Sequence, residues 1–309
     1  MQHSRSWGSG LVQTGPSDTK RDGVSAVWAY CVWSDYMRDA LEQPPREHSS
    51  TKGAQGIMRR PRPSAPLVAA LSLILLLPAP TATAQSQPEF DYEGAIGPAF
   101  WGRLTPAFAA CSTGRRQSPI DLRNPRRRGV PRIRIDYRPT PLSIENNGHT
   151  FEAKPARRQT LSIARKRFRL VQFHPHSPSE HALRGRRYRM ELHFVHQAAD
   201  GERAVLAALV RSGRRNAAFG KALKALPRRA GAERVLEKRV NPYDLLPARR
   251  RAFRYAGSLT TPPCTEGIRW NVLQQSVELS SRQLRRYRSL FERNARPLQP
   301  PNGRRLTLG

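Results

Sequence analysis

Five of the chain's eight histidines lie between Gln172 and His196: His174, His176, His181, His193 and His196. The first two are two residues apart. On a β-strand, residues i and i+2 leave the same face roughly 6–7 Å apart, so both imidazoles can lean onto one ion. His193 falls in a second strand-like run, where Met190, Leu192, Phe194 and His196 alternate with Arg189, Glu191, His193 and Val195. An adjacent antiparallel strand would supply it as a third nitrogen. Three neutral imidazoles with a fourth position open make a catalytic zinc site, not a closed structural one. Zinc so held lowers the pKa of a water to about 7 and gives hydroxide at neutral pH. A ligating imidazole donates its second N–H to an oxygen. Gln172 and Glu191 each stand two residues from an expected ligand, on its strand face, and are the expected acceptors for His174 and His193. Turnover also needs a proton to leave. His149, in Asn146-Asn147-Gly148-His149, is of the right type to carry it. Taken alone it also reads as an ordinary histidine after an Asn-Gly hairpin turn.

Strands must position these groups. Residues 168–173 and 189–196 read as strands, 160–165 as a weaker one, and 204–210 as a continuous apolar run buried on both faces. Residues 132–137 and 268–273 are further candidates. Helices are few and short: 216–226, 233–237 with the turn after it, and 281–292. The pattern predicts an α+β, predominantly β, single domain. Its centre is a large twisted, mostly antiparallel β-sheet with short peripheral helices.

The N-terminal part has a different character. Residues 1–57 lack periodicity. A basic start at Met58, Arg59, Arg60 and Arg62 precedes an apolar run at 67–77 and the small-x-small Ala82-Thr83-Ala84. That is the layout of a secretory signal peptide over 58–84, with Met58 as the expected start; a genuine long leader is the alternative. The apolar run is shorter than the roughly 20 residues a bilayer needs. Cleavage leaves 85–309 with Cys111 and Cys264, expected to pair in an oxidising compartment, with two buried free thiols as the alternative. The formal charge is +31, with 54 Lys and Arg against 23 Asp and Glu. The arginines are scattered through turn-like stretches, and no zinc-finger, helix-turn-helix or RNA-binding motif accompanies them. They read as a solvated surface, with no specific nucleic-acid partner.

Five segments in order resemble the alpha class of carbonic anhydrases. They are FWG at 100–102 with QSPIDL at 117–122; NNGH at 146–149; QFHPH at 172–176 with PSEH at 178–181; ELHFVH at 191–196; and GSLTTPPC at 257–264. RPLQP at 296–300 extends the match. The resemblance implies zinc on His174, His176 and His193. Thr260 would accept a hydrogen bond from zinc-bound hydroxide and donate its own to Glu180, with its backbone N–H serving the oxygen that gains charge. His149 would be the proton shuttle, reached by waters along Tyr92, Asn147, Gln172 and Thr261. Val195, Val205, Leu259, Ile268 and Trp270 would form the CO2 pocket; without the resemblance they read as plain core. His181 and His196 would support the ligands or the fold and would not bind the metal themselves. The implied activity is reversible hydration of CO2 to bicarbonate and a proton, with weak esterase action beside it. The likeness to exported bacterial members also implies a Cys111–Cys264 disulfide, a homodimer, and a periplasmic or secreted location. A catalytically silent relative and an ester hydrolase are the alternatives; no HExxH motif supports a peptidase. Two residues depart from the family pattern. Pro175 separates the first two ligands, where a bulky apolar residue is usual, and proline is out of place in a central strand. Glu152 stands where a neutral amide usually lines the water path.

Overall fold

The computed structural model describes residues 89–309 apart from Arg128 and Glu292, so the expected leader and signal segments, 1–57 and 58–84, lie outside the described residues. Eight longer strands carry the fold: β1 (Thr140–Asn146), β2 (Phe151–Pro155), β3 (Lys166–His176), β4 (Met190–Gln197), β5 (Arg203–Ser212), β6 (Glu233–Val240), β7 (Ala252–Ser258) and β8 (Glu266–Leu279). They form the body of a 12-stranded sheet in the order β6-β1-β2-β3-β4-β5-β8-β7, continued by Thr307–Leu308 and Arg126–Arg127. Neighbours along it are antiparallel except β5 with β8 and Thr307–Leu308 with Arg126–Arg127. No helix among the described residues is long and apolar enough to cross a membrane. The expected mostly antiparallel sheet is present. Two longer helices flank it: α1 (Ala217–Ala225) and α2 (Ser281–Arg288). Each starts at a side-chain cap. The Asn216 carboxamide accepts the Phe219 N–H, and Ser280 forms a reciprocal capping box with Gln283.

The apolar residues divide between the two faces of the sheet. Leu192 and Phe194 of β4 join Phe168, Leu170 and Phe173 of β3 and Phe219 of α1 in the larger core. Val195 of β4 joins Val205, Ala207 and Leu209 of β5 and Trp270 and Val272 of β8 on the opposite face. β5 is buried on both sides from Ala204 to Val210, as its unbroken apolar run predicts.

A bulge in β3 decides which residues face the cavity described below. The register pairs Val195 with Gln172 but the next residue, His196, with Leu170, so Val171 has no opposite number. An unpaired extra residue reverses the alternation of the strand. Phe168 and Leu170 point into the larger core, whereas Gln172, His174 and His176 point to the other face, although all are even-numbered.

One predicted element is wrong in type. Residues 233–237, expected as a helix, belong to the edge strand β6, paired antiparallel with β1. Glu, Arg and Lys favour helix on intrinsic propensity, but the run is exposed except at Leu236 and Val240 and has no apolar stripe to bury. The free edge of β1 supplies a backbone ladder instead, and the charged residues suit an exposed edge. Helix α2 also stops at Arg288, short of the expected 292. Strands β1, β2 and β7 have no counterpart among the predicted elements.

Cys111 and Cys264 are disulfide-bonded, closing 153 residues of sequence, and pack with Trp101 and Phe108. The bond ties the turn at 260–264 to the N-terminal short helices. Replacing both cysteines by serine is expected to lower stability by about 2–5 kcal/mol, from the loop that would then be free in the unfolded chain. Urea unfolding of the oxidised protein and the double variant measures it; equal midpoints would contradict it.

Candidate metal centre and active site

The antiparallel register of β3 and β4 sets His193 directly across from His174 and Glu191 across from His176. Three imidazoles therefore converge. Their ring centroids are 4.9 Å apart for His174 and His176, 5.3 Å for His174 and His193, and 4.5 Å for His176 and His193.

Each ring has one nitrogen already committed. His174 Nδ1 lies 2.8 Å from Gln172 Oε1, His193 Nε2 lies 3.0 Å from Glu191 Oε1, and His176 Nδ1 lies 2.6 Å from the Asn294 carbonyl. An N–H given to these acceptors leaves His174 Nε2, His176 Nε2 and His193 Nδ1 as lone-pair nitrogens. The three rings offer ligand atoms within 4.8 Å of one another. His176 Nε2 is buried and has no hydrogen-bond partner. An orphaned buried nitrogen at the meeting point of two others fits a metal ion.

The electrostatics agree. Burial pushes His174 well below the ordinary histidine pKa, with repulsion from His176 and His193 adding to it. Burial likewise lowers His176, against the pull of Glu180. Both rings are neutral at pH 7, the form that ligates. Glu191 is held well below the usual carboxylate range. Burial alone would raise it, but His181 and the N–H groups of His181 and His193 outweigh that. His181, Glu191 and His193 also form a compact donor group, but their facing atoms are spent on one another: His181 Nδ1 lies 2.7 Å from Glu191 Oε1 and the His181 N–H 2.8 Å from Oε2. His181 Nε2 continues to the Tyr255 hydroxyl at 2.6 Å, and His196 bonds Tyr137 at 2.6 Å on the opposite face. The ring nitrogens of both are thus engaged by other protein groups.

The cluster forms the floor of a cavity of about 500 Å³. One wall is apolar: Val195, Val205, Leu259 and Trp270. The other is polar and comes from β3, the β1–β2 hairpin and the N-terminal segment: Gln172, Asn147, His149, Glu152 and Tyr92. Thr260 and Thr261 line it as well. Ile268 does not reach the lining. It is buried in the same apolar cluster as Val205 and Trp270.

His149 belongs to the turn between β1 and β2. Gly148 takes φ +87°, and Asn147 Oδ1 accepts the N–H of His149 at 3.1 Å and of Thr150 at 2.9 Å. The imidazole stacks on Phe90 at 4.6 Å, with Tyr92 edge-on at 6.0 Å. Burial holds its pKa below the ordinary value, opposed by Asp91 and Glu89.

Glu180 is fully buried. Its Oε1 accepts the Arg296 N–H at 2.8 Å; its Oε2 has no partner and lies 3.7 Å from His176 Nε2 and 3.9 Å from His193 Nε2. The expected hydrogen bond from Thr260 to Glu180 is thus not made in the structure, though the acceptor it needs is free.

Asn294 is the residue missed in the sequence. Its carbonyl holds His176, its Oδ1 accepts the Ser177 N–H at 2.7 Å, and its Nδ2 donates to the carbonyls of His149 at 3.0 Å and Pro175 at 3.1 Å. The signal was its place two residues before the RPLQP segment. Pro175 costs less than expected. Its carbonyl accepts from Thr150 Oγ1 at 2.7 Å and the Tyr287 hydroxyl at 2.8 Å. A strand residue's N–H and C=O point to the same edge, so the missing donor faces this cluster and not β4.

Comparison with known proteins agrees with this architecture. The eukaryotic-type carbonic anhydrase family model matches residues 96–308. A carbonic anhydrase of Nostoc sp. is 39% identical over 219 residues, covering 69% of this chain and 83% of its own. One from Neisseria gonorrhoeae is 36% identical over 251 residues, covering 80% and 98%. Among solved structures, the alpha-carbonic anhydrase from Thermovibrio ammonificans in complex with sulfanilamide superposes with a TM-score of 0.70 at 38% identity, covering 72% of this chain and 99% of that one. Fold and site define a β-sheet enzyme with a histidine cluster at the floor of its cavity. The chain belongs to the eukaryotic-type, or alpha, carbonic anhydrase family.

Glu191→Gln removes the carboxylate charge that orients His193 and His181. It is expected to lower affinity for an added divalent metal such as cobalt by about 10–100-fold. Chelator competition measures this, and unchanged affinity would contradict it.

Proposed function

We propose that this chain interconverts CO2 and bicarbonate with zinc held by His174, His176 and His193. The observation that carries this is the convergence of three otherwise uncommitted imidazole nitrogens at the floor of a half-apolar, half-polar cavity. Zinc there would act as a Lewis acid and bring the pKa of a water to about 7. The chain's own residues do the rest. CO2 has no dipole, so the wall of Val195, Val205, Leu259 and Trp270 receives it better than hydrogen-bond donors would. Glu180 can only accept when ionised, and its free Oε2 is the natural acceptor for the Thr260 hydroxyl. With its own proton so used, that hydroxyl accepts from the reacting water and turns a lone pair toward CO2. The Thr260 backbone N–H is the donor assigned to the oxygen that gains charge.

His149 takes the released proton. Its lowered pKa keeps it neutral near pH 7, so it is ready to accept, and waters along Tyr92, Asn147, Gln172 and Thr261 would connect it to the floor. Export to the periplasm or beyond is supported by the Cys111–Cys264 disulfide, since such bonds persist in oxidising compartments.

The purified protein is expected to carry about one zinc per chain, as the three-histidine site requires. It should hydrate CO2 in stopped-flow assays and be blocked by a sulfonamide. His193→Ala should lose both metal and activity. Full zinc occupancy without hydration would overturn the reading. His149→Ala is expected to lower kcat roughly a hundredfold while sparing kcat/KM, with imidazole buffer restoring the rate. A loss confined to kcat/KM would contradict the shuttle assignment.

A further inference from the structure

A second cavity, of about 880 Å³, shares no lining residue with the histidine-floored one. Among the described residues, six arginines line it and no carboxylate does: Arg127, Arg184, Arg186, Arg187, Arg189 and Arg211. Three parts of the chain supply them. Arg127 lies on the edge strand Arg126–Arg127. Arg184, Arg186 and Arg187 belong to a small hairpin, in which Ala182–Leu183 pairs antiparallel with Arg186–Arg187. Its two-residue turn, Arg184-Gly185, takes φ +53° and +81°, and Asp121 Oδ1 accepts the Gly185 N–H at 3.0 Å. Arg189 leads into β4 and Arg211 lies near the end of β5 beside it; the Arg189 N–H donates to the Val210 carbonyl at 3.1 Å.

The two carboxylates bonded to these segments are already used. Asp121 pairs with Arg123, and Glu278 pairs with both Arg211 and Arg214. Arg187 Nη2 donates to the Arg296 carbonyl at 3.2 Å. Among the described residues, no ion pair or hydrogen bond engages the guanidinium of Arg127, Arg184, Arg186 or Arg189. Four uncompensated cations therefore line one recess. Leu122, Phe253 and Leu308, all buried, line it as well. Apolar walls lower the local dielectric and focus the positive field on an anion that enters.

We infer that this cavity is a binding site for a small, multiply charged phosphoryl anion of the pyrophosphate class. Every cation lining it is an arginine, whose planar fork matches phosphoryl oxygens bidentately as an ammonium cannot. A single phosphate group carries at most about two charges at neutral pH. Two linked groups come closer to the four uncompensated cations and can reach arginines from separate segments. The volume falls within the roughly 300–1,000 Å³ of small-molecule sites. A bilayer or a nucleic-acid duplex is met by charge on a protruding face; here the charge lines a recess, which favours a compact soluble ligand. The site is separate from the metal cavity, so the inference does not depend on the CO2-hydration reading.

The experiment titrates the zinc-loaded full chain with pyrophosphate in a calorimeter at about 0.15 M salt, where screening over about 8 Å suppresses distant charges. Wild type is expected to bind one pyrophosphate per chain, about tenfold or more tighter than orthophosphate. R127Q/R186Q/R189Q is expected to lose about tenfold or more of that affinity, with CO2 hydration unchanged. R127K/R186K/R189K keeps the charge without the fork and should fall between the two. R134Q/R165Q/R234Q removes the same charge from exposed positions outside the cavity and should change affinity by less than about twofold. Equal losses in the two glutamine triples would assign the binding to bulk charge and overturn the site. Undiminished affinity in R127Q/R186Q/R189Q would place the anion elsewhere, the metal included, and overturn it too. Binding to phosphatidylglycerol vesicles without binding to pyrophosphate would assign these arginines to a membrane surface and overturn the soluble ligand.

Discussion

The site depends on one register. His193 sits opposite His174 because β3 and β4 pair as they do, and a slip by one residue would turn the ligands of one strand to the far face. The bulge at Val171 is part of the same constraint. Without it, Phe168 and Leu170 would share a face with Gln172, His174 and His176, and the strand would have to bury phenylalanine in the cavity or imidazole in the larger core. With it, β3 is apolar inward along its first half and carries ligands into the cavity along its second. The register is pinned from the β4 side, where Leu192 and Phe194 are fully buried in the larger core. Hydrophobic burial on one face of β4 thereby fixes imidazole geometry on the other.

The rings must also be aimed. Each is aimed by its own acceptor: a side chain two residues back on the same strand for His174 and for His193, an amide and a buried carboxylate respectively, and a backbone carbonyl from the C-terminal segment for His176. Neighbouring groups are fixed in turn by Arg296. Its side chain donates to Gln117 Oε1, the Ser118 carbonyl and the Cys111 carbonyl, while its backbone N–H holds Glu180. Burial lowers the pKa of Arg296 to about 10, which still leaves it charged at neutral pH. One residue thus links the disulfide-bonded N-terminal segment to the buried carboxylate beside the histidines.

The histidine spacing, the orienting Gln172 and Glu191, and the strands that carry them were legible because period-two patterns report directly on strand faces. The run of β5 was legible for a different reason: an unbroken apolar stretch of strand length reports burial on both faces. Asn294 was not, because its main contribution is a backbone carbonyl, and a carbonyl has no residue-type signature. Nor was β6, whose charged run is strand only because β1 has an open edge to offer. The bulge at Val171 does leave a trace in the sequence: the adjacent apolar pair Leu170-Val171 interrupts the alternation of β3 at the point where its faces exchange. Ile268 was assigned to the pocket by the resemblance alone, and the structure buries it in the cluster of Val205 and Trp270 without bringing it to the lining.

Pro175 joins these strands of argument. A residue between two ligands of one metal site has to leave both free to point the same way while its own backbone is satisfied on the other edge. That edge faces Thr150, Tyr287 and Asn294, and all three can donate to the Pro175 carbonyl. A backbone N–H added on the same edge would meet a cluster already aimed at that carbonyl as donors. Proline removes the surplus donor and keeps the acceptor. The carbonyl then ties three parts of the chain to the ligand strand: the hairpin bearing His149 through Thr150, helix α2 through Tyr287, and the segment that orients His176 through Asn294. The departure from the family pattern is therefore compatible with an intact ligand geometry, because the missing hydrogen bond is one that the β3–β4 ladder never used.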